Sequence, residues 1–340
     1  MAPGWNLGNT FDAAPTETSW GNPEPTQAMV QAVQTGGFKT MRIPVTWTDH
    51  IGAGPAYTID SAWMAKVVQV ATWATQAGMY AIVNTHHDAD EQWVLFTDAD
   101  AGATSLSPTT HAQVTAEVTA VWTQIATAFQ GFDDHLIFEC FNEPHGQVNA
   151  YSGGDSAEQT ILNAYLAACV NAIRGTGGNN ASRYVMIQPI GASPVQSGIQ
   201  ALVVPNGDPN ILISLHTYYP TGFSLNSSPT TWGTVASDYT DMGSSLDQIR
   251  GWLPTQPIVI GEWGSQSTDQ LSSRVAHAGA YAQDVRKAGM CPVWWDDGGG
   301  FGLLNRTASP LAWSYPTIVS AIVSGVAAGA AAGATYAPFP

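Results

Sequence analysis

Glu143 and Glu262 are the residues whose placement invites chemistry. Each stands at the end of a short apolar run: residues 136–144 read LIFECFNEP and residues 258–264 read IVIGEWG. An apolar run that ends on an acid, the first one stopped at once by Pro144, is how a buried strand presents a carboxylate at the edge of a fold. A lone acid at a strand end is ordinarily a surface or helix-start residue. Two of them are what acetal hydrolysis requires: one carboxyl to protonate the leaving oxygen, and one either to attack the sugar carbon or to activate water. A separation of about 5–5.5 Å between the carboxyls gives retention of configuration, and about 6.5–9.5 Å gives inversion.

A third run, residues 211–220 (ILISLHTYYP), carries His216 and Tyr218. Two residues apart on a strand, their side chains leave by the same face. His216 is placed to tune the proton donor and Tyr218 to hydrogen-bond the other carboxylate; the plainer alternative is a bonded pair with no chemical use. Arg42 is one of only 10 basic residues and lies near the end of another strand-like run, residues 39–45. A guanidinium there would hold a carboxylate ionised for attack, or form an ordinary internal ion pair. His86 and His87 are adjacent, so on a strand at best one faces the mouth. With Asp88 they lack the spacing of a zinc motif, and no metal or other cofactor is expected. Ser193 lacks the second glycine of a nucleophile elbow. Trp295, Trp263, Trp20 and Trp47 sit at or near loops on the same rim, some of them as sugar platforms and others as packing, while Trp294 should face the helices.

Positioning these groups requires eight strands. Runs at residues 4–7, 39–45, 79–85, 136–142, 184–188, 211–218, 258–264 and 290–295 alternate with helical patterns. The helices are expected at residues 26–35, 59–77, 110–129, 158–173, 244–252, 275–288 and 310–323, with a short one near 194–202. No repeat or linker interrupts them, which points to one α/β domain over residues 1–323, a closed (β/α)8 TIM barrel with its chemistry at the C-terminal ends of the strands. A doubly wound open sheet is the alternative, but no Gly-rich loop follows the first strand. Residues 90–110 and 221–239 are long polar connections suspected of shaping the site. Residues 324–340, rich in Ala, Gly and Pro, are expected to bury little, as a peripheral wrap or linker remnant.

Composition narrows the partners. Ten Lys and Arg against 26 Asp and Glu give a formal charge of -16, a field that repels nucleic acid and anionic membranes and favours a neutral substrate. Thirteen Trp and 11 Tyr supply faces for ligands with apolar C–H surfaces. Cys140, Cys169 and Cys291 allow at most one disulfide and leave the redox compartment open. No membrane span is present. The start, Met1-Ala2-Pro3, reads as a trimmed mature domain of a secreted protein, and a monomer is expected.

With these residues in view, the chain resembles glycoside hydrolase family 5, retaining β-glycanases on (β/α)8 barrels, and within it the endoglucanases of the fourth subfamily. The likeness runs through residues 4–12 (GWNLGNTFD), 18–23 (TSWGNP), 37–47 (GFKTMRIPVTW), 84–88 (NTHHD), 141–144 (FNEP), 216–220 (HTYYP), 261–264 (GEWG) and 294–296 (WWD). Asp88 and Cys140 depart from it, standing where relatives often carry Glu and Gly. The resemblance implies Glu143 as acid/base and Glu262 as nucleophile. It implies Asn142 on the sugar 2-hydroxyl, Arg42 and Tyr218 orienting Glu262, His216 and His86 around the central subsite, and Trp295 as its floor. Trp47, Trp20, His87, Asn9 and Trp263 are expected to bind substrate. A raised pKa on Glu143 would keep the donor protonated. The implied substrate is a β-1,4-glucan, with mixed-linkage glucan and xyloglucan possible. Mannan and xylan are the related alternatives, and a silent glycan-binding barrel is the rival from another class.

Overall fold

Strands β1 (Gly4–Asn6), β2 (Thr40–Ile43), β3 (Tyr80–Asn84), β4 (Leu136–Glu139), β5 (Val185–Ile187), β6 (Ile211–His216), β7 (Ile258–Trp263) and β8 (Met290–Trp294) pair in sequence, all parallel, and β8 closes onto β1. The closed (β/α)8 barrel expected from the alternation of elements is the observed fold. The structure is a computed structural model that describes residues 1–88, 111–146 and 151–332. Residues 90–110, one of the two long connections suspected of shaping the site, lie outside the described residues.

The barrel interior explains why chemistry collects at one end. Side chains alternate faces along a strand, and the register sets Ile82 beside Ile137 and Met186 beside Leu212. These four pack with Val259, Cys291 and Val293 into an apolar plug, closed below by Tyr80 and Tyr184. Two residues further along the same inward faces stand Asn84, Glu139 and Ser214, all fully buried. Each of these three strands is thus apolar low in the barrel and polar high in it. The apolar layer, at about 1.5–3 kcal/mol per buried side chain, pins the strands that carry the polar one.

The helices cover the outside: α1 (Gln27–Thr35), α2 (Ser61–Gln76), α3 (His111–Ala128), α4 (Ser156–Gly175), α5 (Gln196–Ala201), α6 (Ala236–Trp252), α7 (Leu271–Lys287) and α8 (Pro316–Ala331). Thr26 caps α1 by accepting from the Met29 amide, and Asp155 and Glu158 form a reciprocal capping box on α4. Three helices start away from their expected positions, α7 by four residues, at Leu271. α6 begins eight residues before 244, because its opening turn is polar and hides from hydrophobic periodicity. Asp238 secures it by accepting from the amides of Gly233, Thr234 and Val235.

The last helix starts later and runs further than residues 310–323. A two-stranded hairpin (β9, Leu304–Asn305; β10, Ala312–Trp313) occupies the earlier stretch, and Pro316 opens α8. The Ala/Gly stretch then stays helical to Ala331 against α7. A Cβ at Gly325 or Gly329 would come within 2.3 Å of the carbonyl oxygen of Gly279 or Gln283, so these glycines let two helix backbones touch. Of residues 324–332, Gly325, Val326 and Gly329 are buried and the other six are exposed, so this helical part of the expected tail still buries little side-chain surface. Cys140, Cys169 and Cys291 are all free thiols and all buried.

Candidate active site

Arg42 is the hub on which the polar end of the barrel is built. Fully buried, it donates from Nε to Glu139 at 2.6 Å, from Nη1 to Glu262 at 2.8 Å and to Asn6 Oδ1 at 3.0 Å, and from Nη2 to Asn142 Oδ1 at 2.8 Å. Burial works against the charge, but Glu139 and Glu262 outweigh it, so the guanidinium stays protonated beyond its ordinary range. The bond to Asn142 also settles an orientation. With Oδ1 engaged by Arg42, the amide NH2 is left as the donor facing the cavity that Asn142 lines.

Glu262 reaches this cluster because β7 breaks its own rhythm. Val259 and Gly261 face inward, so strict alternation would send Glu262 to the helix layer. The register slips instead: Leu215 pairs with Ile260, but His216 pairs with Glu262, and against β8 the slip lies between Ile260 and Trp263. An extra residue of this kind re-aims a side chain. Gly261 makes room for it, since a Cβ there would meet His216 Nε2 and Ser214 Oγ at 3.0 Å. The slip has a second effect. Trp263 turns outward, fully buried, stacked on Tyr281 with ring centroids 4.3 Å apart. Trp47 is likewise fully buried, its indole N–H on the Asn84 carbonyl. Neither offers a face to a ligand, so both are corrected from sugar platform to packing.

Across the mouth, His216 Nδ1 lies 2.6 Å from Glu143 Oε1 and 3.6 Å from Glu262 Oε2, and one oxygen of each carboxylate comes within 4.8 Å of the other. Tyr218 donates to Glu262 Oε2 at 3.0 Å; burial and the charges of Glu262 and Glu143 push its phenol far up, so it remains a donor. Burial alone would raise Glu143, but the hydrogen bond and charge of His216, with the Tyr151 hydroxyl, bring it below the ordinary carboxylate range. His216 moves the other way: burial lowers it, while Glu262 and Glu143 raise it further. The expectation of a raised donor is thus reversed in this geometry, and the exchangeable proton belongs to the Glu143–His216 pair.

The other site residues fall into place around a cavity of about 770 Å³. Trp295 forms part of its wall with His86, whose ring is parallel to it at 5.8 Å. Burial, then the charges of His87, Arg42 and His216, push His86 well down, so it is neutral. His87 also lines the cavity. The strand ends at Asn84, so alternation no longer forces the two histidines apart, and their rings stand perpendicular at 4.6 Å. Trp20, half exposed, lies 5.5 Å from His87 at the rim. Asn9 holds a left-handed backbone near this edge and donates its amide to Asp12. A larger groove of about 1260 Å³ lies between α1, the hairpin and α8, but among the described residues Glu24 is the one carboxylate lining it.

Sequence reasoning missed Glu139. It accepts from Arg42, from Asn84 at 3.0 Å and from Ser214 Oγ at 2.7 Å, with no exposure at all. The signal was its parity with Ile137: an acid two residues beyond an inward apolar one must itself point inward, where it needs a cation. Tyr151, which donates to Glu143 Oε2 at 2.9 Å, carried no such signal.

Comparison with known proteins supplies the family. The family model for cellulase (glycosyl hydrolase family 5) matches residues 6–300. The chain belongs to glycosyl hydrolase family 5. It is 39% identical over 330 residues to the cellulase/esterase CelE of Acetivibrio thermocellus, covering 94% of this chain but 39% of that protein. Endoglucanase B of Clostridium cellulovorans is 40% identical over 336 residues, covering 94% of this chain and 73% of the relative. Among solved structures, a broad-specificity endoglucanase of subfamily 4 from Clostridium acetobutylicum superposes with a TM-score of 0.87 at 41% identity, over 95% of this chain and 97% of that one. Family 5 membership makes the chain a glycoside hydrolase, and the likeness places it in subfamily 4.

Proposed function

We propose that this hydrolase is an endo-acting β-1,4-glucanase that retains anomeric configuration. The observation that carries the reading is the meeting of Glu143 and Glu262 across one cleft, with oxygens within 4.8 Å. Nearest oxygens this close fit the shorter of the two carboxyl separations, about 5–5.5 Å, at which one carboxylate attacks directly. Glu262, held by Arg42 and Tyr218, attacks the anomeric carbon while the Glu143–His216 pair delivers a proton to the departing oxygen. Glu143, then a base, draws a proton from a water that attacks the anomeric carbon, and the Glu262 carboxylate leaves as the glycosyl ester breaks. The Asn142 NH2 donates to the sugar 2-hydroxyl, a bond that tightens in the transition state. Trp295 with His86 supports the sugar whose bond breaks, and Trp20, His87 and Asn9 receive the units beyond it.

A polymeric neutral substrate fits the formal charge of -16 and implies action outside the cell, because the polymer does not enter it. The name of the Clostridium acetobutylicum relative supports a reading broader than cellulose alone. The carboxylates act on the acetal and do not read distant hydroxyls, so substrate choice rests with the surrounding loops. The test is reducing-sugar release from carboxymethylcellulose, barley glucan, xyloglucan, mannan and xylan, with sizing of products. Glucan cleavage with early internal cuts supports the reading; activity on mannan or xylan alone overturns it.

A further inference from the structure

Tyr151 stands on the loop after β4, with its side chain at the open face of the cleft (61% exposed), yet its hydroxyl donates to Glu143 Oε2 at 2.9 Å. Its backbone is bonded across to the neighbouring loop. Ser193 Oγ donates to the Tyr151 carbonyl at 3.0 Å, and Gly191 donates its amide to the Pro144 carbonyl at 2.8 Å, so the loop after β4 is tied at two points to the loop after β5. The ring leans on His145 with centroids 5.6 Å apart. Glu143 therefore has both oxygens engaged from opposite sides, Oε1 by His216 and Oε2 by Tyr151.

We infer that Tyr151 is a positioning residue for the proton donor: its hydroxyl fixes the plane of the Glu143 carboxyl and helps set the pH above which the donor is empty. This rests on the assignment of Glu143 as the acid. A hydroxyl that donates to a carboxylate favours its ionised form, so Tyr151 makes Glu143 give up its proton at a lower pH. The other groups facing Glu143 act on the same balance: His216 from β6, Glu262 from β7, His145 from its own loop, and Tyr218, whose phenol feels its charge. Of these, Tyr151 alone is at the solvent face, where an arriving sugar can displace its hydroxyl from Glu143. Displacement on the leaving-group side would release the carboxyl to hold its proton when the glycosidic oxygen arrives.

Tyr151→Phe removes the hydroxyl and keeps the ring. kcat/KM is measured across pH for two β-cellobiosides, one with a poor aryl leaving group that needs a proton and one with dinitrophenolate, which does not. With the poor leaving group, the basic limb of the variant moves to higher pH, and the variant-to-wild-type ratio rises as pH climbs through it. With dinitrophenolate the ratio is the same at every pH. A limb that stays in place in Tyr151→Phe, or a ratio that changes equally for both substrates, overturns the inference. If the wild-type limb itself is identical for both leaving groups, it is the assignment of Glu143 that fails.

Discussion

Replacing Glu139 by Gln swaps one carboxylate oxygen for an NH2 group and leaves Arg42 buried with one carboxylate where it had two. The side chain keeps its volume, so no cavity term enters. Its charge is lost, and one of the three donors now aimed at it, from Arg42, Asn84 and Ser214, must face an NH2 group. Breaking a fully buried ion pair from one side costs about 3–5 kcal/mol, because the remaining charge stays desolvated. Unfolding entropy of about 2.1 cal/mol/K per residue over 340 residues is about 0.7 kcal/mol/K, so the midpoint should fall by about 4–7 °C. An exposed pair behaves differently: Lys66→Ala, which breaks the contacts of a half-exposed lysine with Glu17 and Glu24, should move it by about 1 °C or less. Calorimetry on both variants reads the contrast. A Glu139→Gln midpoint within about 1 °C of wild type would mean that Arg42 does not depend on Glu139, and the hub would be misdrawn.

Three further outcomes separate binding from packing. Trp295→Ala should raise KM for cello-oligosaccharides by roughly 2- to 12-fold, the worth of one aromatic contact, with the midpoint little changed. Trp263→Ala should lose about 3–5 kcal/mol of stability instead, and equal KM effects in the two would refute the division. His277 is buried, which brings its pKa down to about 4 from 6.5. Between those values the unfolded chain takes up a proton that the folded one refuses, so stability falls as pH drops from 6.5 towards 4, by about 3 kcal/mol in all. Denaturant titrations at pH 7 and pH 4.5 should show His277→Gln losing less than wild type; parallel losses would exclude the histidine. Gly325→Ala should cost about 1–3 kcal/mol through collision with the Gly279 carbonyl, while Gly251→Ala, in open space on α6, should gain about 0.5–1 kcal/mol. Thermal melts with the same sign for both would undo the backbone-contact account.

Legibility in the sequence followed period and chemistry. The eight strands were readable because each is a short apolar run, and Arg42, Asn142, His216 and Tyr218 because polar residues at the ends of such runs are conspicuous. What stayed hidden needed information that no run contains. The register slip in β7 decides both that Glu262 faces the cleft and that Trp263 does not, and its one trace, the isolated Gly261, does not say which way the next side chain turns. Trp47 looked like a rim residue by its place in a loop, yet the loop folds its indole under the end of β3. Glu139 lay in plain view inside LIFECFNEP, overshadowed by the acid four residues later. The polar first turns of α6 and the Ala/Gly reach of α8 escaped because those stretches are held by the Asp238 carboxylate and by close backbone contact, while the apolar stripes of both helices lie elsewhere along them.

The direct test is to trap the covalent state. Incubation with 2,4-dinitrophenyl 2-deoxy-2-fluoro-β-cellobioside, followed by digestion and mass spectrometry, should show one fluoroglycosyl adduct, on the peptide carrying Glu262 and at that residue. An adduct on Glu143, or none while the enzyme still turns over glucan, would contradict direct displacement by Glu262 across the shared cleft.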